Sequence, residues 1–189
     1  MPTLTKLHDP ADDPMRVVAL MSGSGTNLIR ILEHGRALSA ARGRAPFEVV
    51  VIFSDNWESR ATAIGAQFDL PVVVRDINAF YRALALPKSD MSIRPAFDLQ
   101  SVAALAPYGA RVAAYAGYMS VASKVLIDAF LGVNVHPADL SVEVDGRRRW
   151  VGGHAVRDAI RAGERTIAST THVVEEAVDG GRLLVISPP

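Results

Sequence analysis

Short runs of apolar and β-branched residues alternate with stretches of helical spacing along most of this chain. The first run, residues 16–21, leads through a glycine-rich turn into a helix that the spacing of Leu28, Ile31 and Leu32 predicts. Strands that alternate with helices in this way are typical of a parallel sheet with right-handed crossovers. The sequence therefore predicts an α/β fold, in which a mostly parallel sheet is flanked by helices.

The same patterns give approximate bounds for each element. The predicted strands are 16–21, 47–54, 71–74, 111–116 and 131–135, and two closing strands lie within 166–174 and 182–186. The predicted helices are 27–34, 59–68, 124–130 and 154–162. Between 77 and 107 we expect two helices joined by a loop around Pro87 and Pro95, because proline breaks a helix interior. Residues 1–14, rich in proline and acids, are predicted to be a flexible tail before a single domain, 15–189.

Composition narrows the class of protein. Apolar residues make up 49% and charged residues 21% of the 189 residues, which is typical of a globular domain. The formal net charge is zero, so nothing electrostatic favours nucleic acid as a partner, and no apolar run approaches the length of a membrane span. The chain has no cysteine, which excludes disulfides and thiolate chemistry. We expect a cytoplasmic monomer or homodimer that acts on small molecules.

The segment Asn134-Val135-His136-Pro137, followed later in the chain by Asp179, carries the clearest chemical signal. An amide can donate to a developing oxyanion, an imidazole can move a proton near neutral pH, and a carboxylate can orient the imidazole or a water. Asn134 and His136 are two residues apart, so at the end of a strand their side chains point to one face. Together these residue types can transfer an acyl group to an amine. The alternative is that Asn134 and His136 only satisfy backbone groups in a turn.

A second candidate site lies in the glycine-rich turn after the first strand, Ser22-Gly23-Ser24-Gly25-Thr26-Asn27. A strand that leads through glycines into a helix N-terminus gathers unpaired backbone N–H groups, where a phosphate or carboxylate can dock. The turn lacks the third glycine of the dinucleotide-binding fingerprint. The alternative is a tight strand-to-helix connection in which Ser24 or Thr26 caps the helix.

Taken in order, these segments resemble the glycinamide ribonucleotide formyltransferase family, folate-dependent enzymes of purine synthesis. The glycine-rich turn is similar to the family's phosphate loop, and Asn134-Val135-His136-Pro137 to its catalytic Asn-x-His-Pro motif. Three further segments resemble the family's folate-lining strand end, its glycine-histidine turn and its catalytic aspartate loop: Ala116-Gly117-Tyr118-Met119, Trp150-Val151-Gly152-Gly153-His154, and Thr171-His172-Val173-Val174 with Val178-Asp179-Gly180-Gly181. The resemblance implies a Rossmann-like formyltransferase fold.

The resemblance also implies a reaction, in which a formyl group moves from 10-formyltetrahydrofolate to a primary amine, with glycinamide ribonucleotide as the expected acceptor. Asn134 would donate to the oxyanion, and His136 would act as general acid or electrostatic partner. Asp179 would tune His136 and help to move the proton of the amine. No metal ion is expected.

The expected binding residues follow from the same resemblance. The folate co-substrate would contact Arg82, the segment Met119-Ser120-Val121-Ala122, and Asn134. The acceptor would be held by Gly23, Ser24, Gly25, Thr26 and Asn27. His172, in an apolar strand, is predicted to be a packed, hydrogen-bonded histidine rather than a base.

Three features depart from the family pattern. The segment 138–149 is longer than the family's loop and ends in Gly146-Arg147-Arg148-Arg149, the sequence stops at Pro189 where the family continues, and Ser120 stands where the family has arginine. Because Ser120 is short and neutral, folate contacts at 119–122 would rest mainly on backbone groups. The alternatives are therefore a formyl-folate hydrolase, a formyltransferase for another amine such as an amino sugar, and a folate-binding homologue without turnover.

Overall fold

The computed structural model describes residues 7–9, 11 and 14–189. The strands are β1 (Met15–Met21), β2 (Phe47–Ser54), β3 (Val72–Val74), β4 (Val112–Tyr115), β5 (Leu131–His136), β6 (Glu143–Val144), β7 (Arg147–Arg148), β8 (Thr170–Val173) and β9 (Leu183–Ile186). The helices are α1 (Thr26–Arg42), α2 (Ala61–Phe68), α3 (Ile77–Ala83), α4 (Arg94–Leu105), α5 (Lys124–Ala129) and α6 (Ala155–Arg161), and a 3-10 turn follows α4 at Ala106–Tyr108.

The main sheet has the strand order β3-β2-β1-β4-β5-β8-β9. The pairs among β1 to β5 are parallel, whereas β8 and β9 add to this sheet in antiparallel orientation. β6 and β7 pair only with each other in the described structure and form a separate small hairpin. The predicted α/β fold with a mostly parallel sheet is thus confirmed.

Buried side chains pack on both faces of the sheet. Leu20 belongs to a cluster that includes Phe97 from α4, whereas its neighbour Ala19 belongs to a cluster that includes Leu28 from α1. Successive residues of a strand point to opposite faces, so a strand covered on both faces must be apolar at every position. This explains why β1 and β2 are near-continuous apolar runs in the sequence.

Several predicted bounds were wrong in detail. α1 continues to Arg42, where Gly43 ends it in the left-handed conformation (φ 77°). Pro95 lies in the first turn of α4, where its missing N–H has no helical partner to lose, and not in the preceding loop. The hairpin of β6 and β7 occupies the segment for which only a longer loop was predicted. The predicted tail, residues 1–14, lies largely outside the described residues.

The fold gathers three predicted segments at one edge of the sheet, where β1, β4 and β5 end. The backbone N–H of Ser22, after β1, donates to the carbonyl of Gly117 at 3.0 Å. The backbone N–H of Met119 donates back to Oγ of Ser22 at 2.9 Å. Ligands of open α/β sheets bind at this carboxyl edge. Among the helices of the described residues, none combines the length and apolar character that a bilayer crossing requires.

Substitution of Gly132 can show how tightly β5 packs against its neighbours. A Cβ atom at this position would lie 2.8 Å from Cε2 of Tyr115 and 2.8 Å from Cβ of Val174. We expect Gly132→Ala to lower the free energy of unfolding by about 1–3 kcal/mol, the usual cost of overpacking a core, as measured by urea denaturation. Gly153→Ala is the matched control, because an added Cβ there meets none of the described atoms within 4 Å. Equal stability of the two variants would contradict tight packing at β5.

Candidate active site

β5 places two polar side chains at the junction between the parallel and antiparallel halves of the sheet. Asn134 lies opposite Tyr115 of β4 on one side and opposite His172 of β8 on the other. His136 lies opposite Thr170 of β8. Nδ2 of Asn134 is 3.1 Å from Nε2 of His172, so the cross-strand register alone joins an amide to an imidazole.

Asp179 reaches the same place from the loop between β8 and β9. Its side chain is buried and its backbone adopts the left-handed conformation (φ 53°). Oδ2 accepts the backbone N–H of Gly152 at 2.7 Å and lies 3.3 Å from Nδ1 of His136. Oδ1 lies 3.4 Å from Nε2 of His172. The carboxylate therefore lies between two imidazole rings.

The ring of His136 is buried and has an acceptor at each nitrogen. Nε2 is 2.6 Å from the backbone carbonyl of Trp150. A carbonyl can only accept, so Nε2 must carry a proton. Nδ1 faces the carboxylate of Asp179 and can donate to it only when it is protonated as well. Each ring nitrogen of His136 thus faces an oxygen acceptor of the protein.

His172 is the site residue that sequence reasoning missed. It is buried and hydrogen-bonded as predicted, since Nδ1 lies 2.8 Å from the carbonyl of Val173, but its Nε2 also contacts Asn134 and Asp179. The signal was present in the resemblance of Thr171-His172-Val173-Val174 to a family strand. Its importance depended on the antiparallel register of β8 against β5, which local sequence does not specify.

Burial and hydrogen bonding shift the pKa values of His172 and Asp179 in opposite directions. Burial lowers the pKa of His172, but the hydrogen bond to Asp179, the Val173 carbonyl and the Asp179 charge together raise this pKa above its ordinary value. Burial raises the pKa of Asp179, but hydrogen bonds from His172 and Gly152 and the charges of His136 and His172 bring this pKa below its ordinary value. The carboxylate is thus held ionised beside a histidine that protonates readily.

A cleft of about 290 Å³ opens over these groups at the carboxyl edge of the sheet. Its lining contains Met119, Ser120 and Val121 together with Asn134, His136, His172 and Asp179. Of the predicted folate contacts, Ala122 and Arg82 are not among the described residues that line this cleft. Ala122 packs against the core, and Arg82 is exposed on α3. A larger depression of about 590 Å³ lies at the opposite edge of the sheet, near Arg16 and Arg111, away from these groups.

The loop that lines the cleft is held from behind by buried polar groups. Oγ of Ser120 donates to Oδ2 of Asp55, and both residues are buried. Arg94 is only 2% exposed, and it donates to the carbonyl of Val121 at 2.6 Å and to the hydroxyl of Tyr81 at 3.2 Å. The sequence does not predict the supporting roles of Arg94 and Asp55, because no local pattern distinguishes a charged residue that becomes buried by tertiary packing.

The glycine-rich turn lies beside the cleft rather than in its lining. Gly25 is the N-cap of α1 in the left-handed conformation (φ 70°). No side chain of the described chain caps α1, so the predicted capping by Ser24 or Thr26 is not found, and their hydroxyls lie 3.2 Å from each other instead. The first N–H groups of a helix have no partner within the helix. The turn can therefore offer them to an anion.

The arrangement is suited to chemistry at a carbonyl group. The Asn134 amide can donate one N–H to His172 only when Nε2 of that ring is unprotonated, so at least one N–H remains for an oxygen atom of a ligand. The two histidines and Asp179 supply proton donors and an ionised carboxylate within hydrogen-bonding or ion-pairing range of one another. Within the described residues, no group of three or more His, Asp or Glu has the arrangement of a metal site.

Comparison with known proteins places this chain in a family. Residues 15–188 match the family described as formyl transferase. A phosphoribosylglycinamide formyltransferase of Mycobacterium tuberculosis is 31% identical over 184 residues, which cover 96% of this chain and 74% of the relative. The enzyme of the same name from Escherichia coli is 25% identical over 173 residues, which cover 90% of this chain and 71% of the relative.

Solved structures give the same result for the fold. Glycinamide ribonucleotide transformylase 1 from Geobacillus kaustophilus superimposes with a TM-score of 0.72 at 26% identity, covering 92% of this chain and 81% of that one. The protein of the same name from Symbiobacterium toebii has a TM-score of 0.71 at 27% identity, covering 92% of this chain and 72% of that one. The predicted formyltransferase fold is confirmed.

The coupled pair of His172 and Asp179 predicts a pH window for stability. Because the pKa of Asp179 is lowered, its contribution is present above the ordinary value of 3.8 and is lost as pH falls through the lowered pKa. Because the pKa of His172 is raised, its contribution is complete below 6.5 and is lost as pH rises through the raised pKa. The free energy of unfolding of the wild type minus that of Asp179→Asn should therefore peak between these values. Urea denaturation across the pH range measures it, and a pH-independent difference would contradict the coupling.

Proposed function

Because this chain belongs to the formyl transferase family, we propose that it transfers the formyl group of 10-formyltetrahydrofolate to the primary amine of glycinamide ribonucleotide, in purine biosynthesis. The observation that carries this proposal is the convergence of Asn134, His136 and Asp179 in one cleft at the carboxyl edge of the sheet. The acceptor comes from the names of the relatives, and the chemistry comes from the site.

The reaction forms one C–N bond and breaks another. The amine nitrogen of the acceptor attacks the formyl carbon, and the carbonyl oxygen becomes an oxyanion. The bond between this carbon and N10 of the folate then breaks, and the proton lost by the amine ends on N10 of the departing tetrahydrofolate. The protein must therefore stabilise an oxyanion and assist one proton transfer.

Asn134 supplies the oxyanion donor through the N–H that His172 leaves free. A donor of this kind contributes about 3 kcal/mol to the stability of the transition state. His136 acts as the general acid or as the electrostatic partner of the oxyanion. Asp179 orients His136 and accepts the proton of the amine, directly or through a water, on its way to N10.

The formyl donor, 10-formyltetrahydrofolate, occupies the cleft over Met119, Ser120 and Val121, with its formyl group beside Asn134. Met119 and Val121 are exposed apolar side chains, 73% and 47% accessible, which suit the flat face of a pteridine ring. The hydroxyl of Ser120 is bound to Asp55, so the polar contacts of this segment fall to backbone groups. Arg82 and Ala122 are left out of this proposed donor site.

The acceptor lies across the cleft with its phosphate at the glycine-rich turn. Gly23, Ser24, Gly25, Thr26 and Asn27 surround the uncapped N-terminus of α1, a helix of 17 residues. The partial positive charge at a helix N-terminus favours a phosphate. Because Ser22 forms hydrogen bonds with both Gly117 and Met119, the glycine-rich turn that binds the acceptor is joined directly to the segment that binds the formyl donor. The proposal retains the expected cytoplasmic location, the monomer or homodimer and the absence of nucleic acid partners.

The test is release of tetrahydrofolate from 10-formyltetrahydrofolate with and without glycinamide ribonucleotide. We expect release to depend on the amine, and Asn134→Ala, His136→Ala and Asp179→Ala to lower kcat about a hundredfold each, because these groups act mainly in the transition state. The double variant of His136 and Asp179 should be little worse than either single variant, because the two residues act as a unit.

Ser141→Ala provides a control on an exposed loop outside the cleft lining. If tetrahydrofolate is released at the same rate without any amine, the activity is hydrolysis rather than transfer. If it is released only with an amino sugar, the acceptor is an amino sugar rather than glycinamide ribonucleotide. Near-normal kcat in His136→Ala would contradict the mechanism.

Binding of the acceptor phosphate can be tested at Gly23, because a Cβ at this position meets none of the described atoms within 4 Å. Gly23→Asp places a negative charge at the turn and should raise KM for glycinamide ribonucleotide about tenfold, an effect that weakens with added salt. Gly23→Asn, the neutral variant of the same shape, should change KM for the acceptor little. Equal KM values for the two variants would mean that the turn holds no phosphate. Gly25 is unsuitable for this test, because its added Cβ would lie 2.3 Å from Cδ1 of Ile64.

A further inference from the structure

The segment that departs most from the family pattern, residues 138–149, contains a hairpin and contacts Asp179 through Arg148. β6 and β7 pair through Glu143 with Arg148 and Val144 with Arg147. The backbone N–H of Arg149 donates to the carbonyl of Val142 at 2.9 Å, which closes the hairpin at its base. This hairpin, residues 143–148, is therefore an ordered element and not a loose insertion.

The hairpin is attached to the body of the protein on both sides. Before it, the backbone N–H of Leu140 donates to Oγ1 of Thr170 at 3.0 Å, and this hydroxyl donates to the carbonyl of Ala138 at 2.7 Å. After it, the buried Trp150 packs with Ala155 and Ala159 of α6. These contacts set the position of the hairpin relative to β8 and α6.

From this position, the residues that follow the hairpin turn contact both catalytic groups. The guanidinium of Arg148 donates through a terminal N–H to the backbone carbonyl of Asp179. The carbonyl of Trp150 accepts from Nε2 of His136, and the N–H of Gly152 donates to Oδ2 of Asp179. The main chain and the side chain of Asp179 are thus held by two residues of one segment.

We propose that Arg148 is a positioning residue for Asp179, holding the backbone of this aspartate in the conformation that directs its carboxylate between the two imidazoles. Asp179 is a non-glycine residue with φ 53°, a conformation that costs free energy unless its surroundings hold it. Arg148 is half-buried, and its planar guanidinium bonds the carbonyl of the strained residue. The importance of this role for turnover rests on the proposed formyl transfer.

Arg148 also affects the site through its charge, and the two effects have opposite signs. The positive charge of Arg148 lowers the pKa of His172, whereas the hydrogen bond and the charge of Asp179 raise it more strongly. Loss of the charge alone would raise the pKa of His172. Loss of a correctly placed Asp179 would lower it. The direction of the change therefore separates a positioning role from an electrostatic one.

The experiment uses Arg148→Met, Arg148→Lys and Arg148→Gln in the full chain. We expect Arg148→Met to lower kcat for formyl transfer about tenfold to a hundredfold with KM for the folate little changed, because a small displacement of a catalytic group is costly. Lys and Gln each retain an N–H donor and should recover part of the loss. Arg147→Met is the matched control, since this neighbour is exposed and its loss removes one positive charge from the same hairpin.

A second measurement does not depend on turnover. NMR titration of the histidine ring protons, assigned with His172→Gln, gives the pKa of His172 in each variant. The proposal predicts a lower pKa in Arg148→Met than in the wild type and a pKa close to that of the wild type in Arg147→Met. If Arg148→Met does not fold, the same comparison is made with Arg148→Ala, which also lacks both the charge and the N–H donor and should likewise lower the pKa of His172.

Two results would overturn the proposal: a kcat of Arg148→Met within about twofold of the wild type, or a rise in the pKa of His172 in this variant. If Arg148→Met cannot be obtained folded, the same two results in Arg148→Ala would overturn it. If the wild type transfers no formyl group to glycinamide ribonucleotide, the proposed function fails, and the pKa of His172 still decides the role of Arg148.

Discussion

The site depends on one buried carboxylate. A buried charge is stable only when it is paired and hydrogen-bonded, and Asp179 meets this requirement with His136, His172 and the N–H of Gly152. These partners come from β5, from β8 and from the segment before α6. Satisfying one charge therefore brings three separate parts of the chain together and fixes the ring orientations on which proton transfer depends.

The register of β5 has the same central importance. This strand has a parallel neighbour on one side and an antiparallel neighbour on the other, and Asn134 is paired with both. Side chains alternate between faces along a strand, so a shift of one residue would turn Asn134 and His136 away from the cleft. The apolar packing that holds β5 against Tyr115 and Val174 thereby also holds the chemistry in place.

The glycine-rich turn and the segment 117–121, proposed to bind the acceptor and the formyl donor, are joined by direct hydrogen bonds. Ser22 bonds Gly117 and Met119, while Asp55 and Arg94 hold the same segment from the core side. A few hydrogen bonds thus fix the position of the turn relative to the segment that lines the cleft. The segment 138–149, which departs from the family pattern, contacts the backbone of Asp179 through Arg148.

The sequence by itself determined the sheet, the two-residue spacing of Asn134 and His136, and the family, because these depend on local periodicity and on ordered motifs. Site assignments from the same motifs remain predictions for experiment. Only the tertiary structure decided that His172 and Arg148 contact Asp179, and that the buried Arg94 holds the backbone of Val121. These contacts join residues far apart in the chain. They depend on strand register, on the path of a hairpin and on what packing buries, and none of these leaves a periodic signal in the sequence.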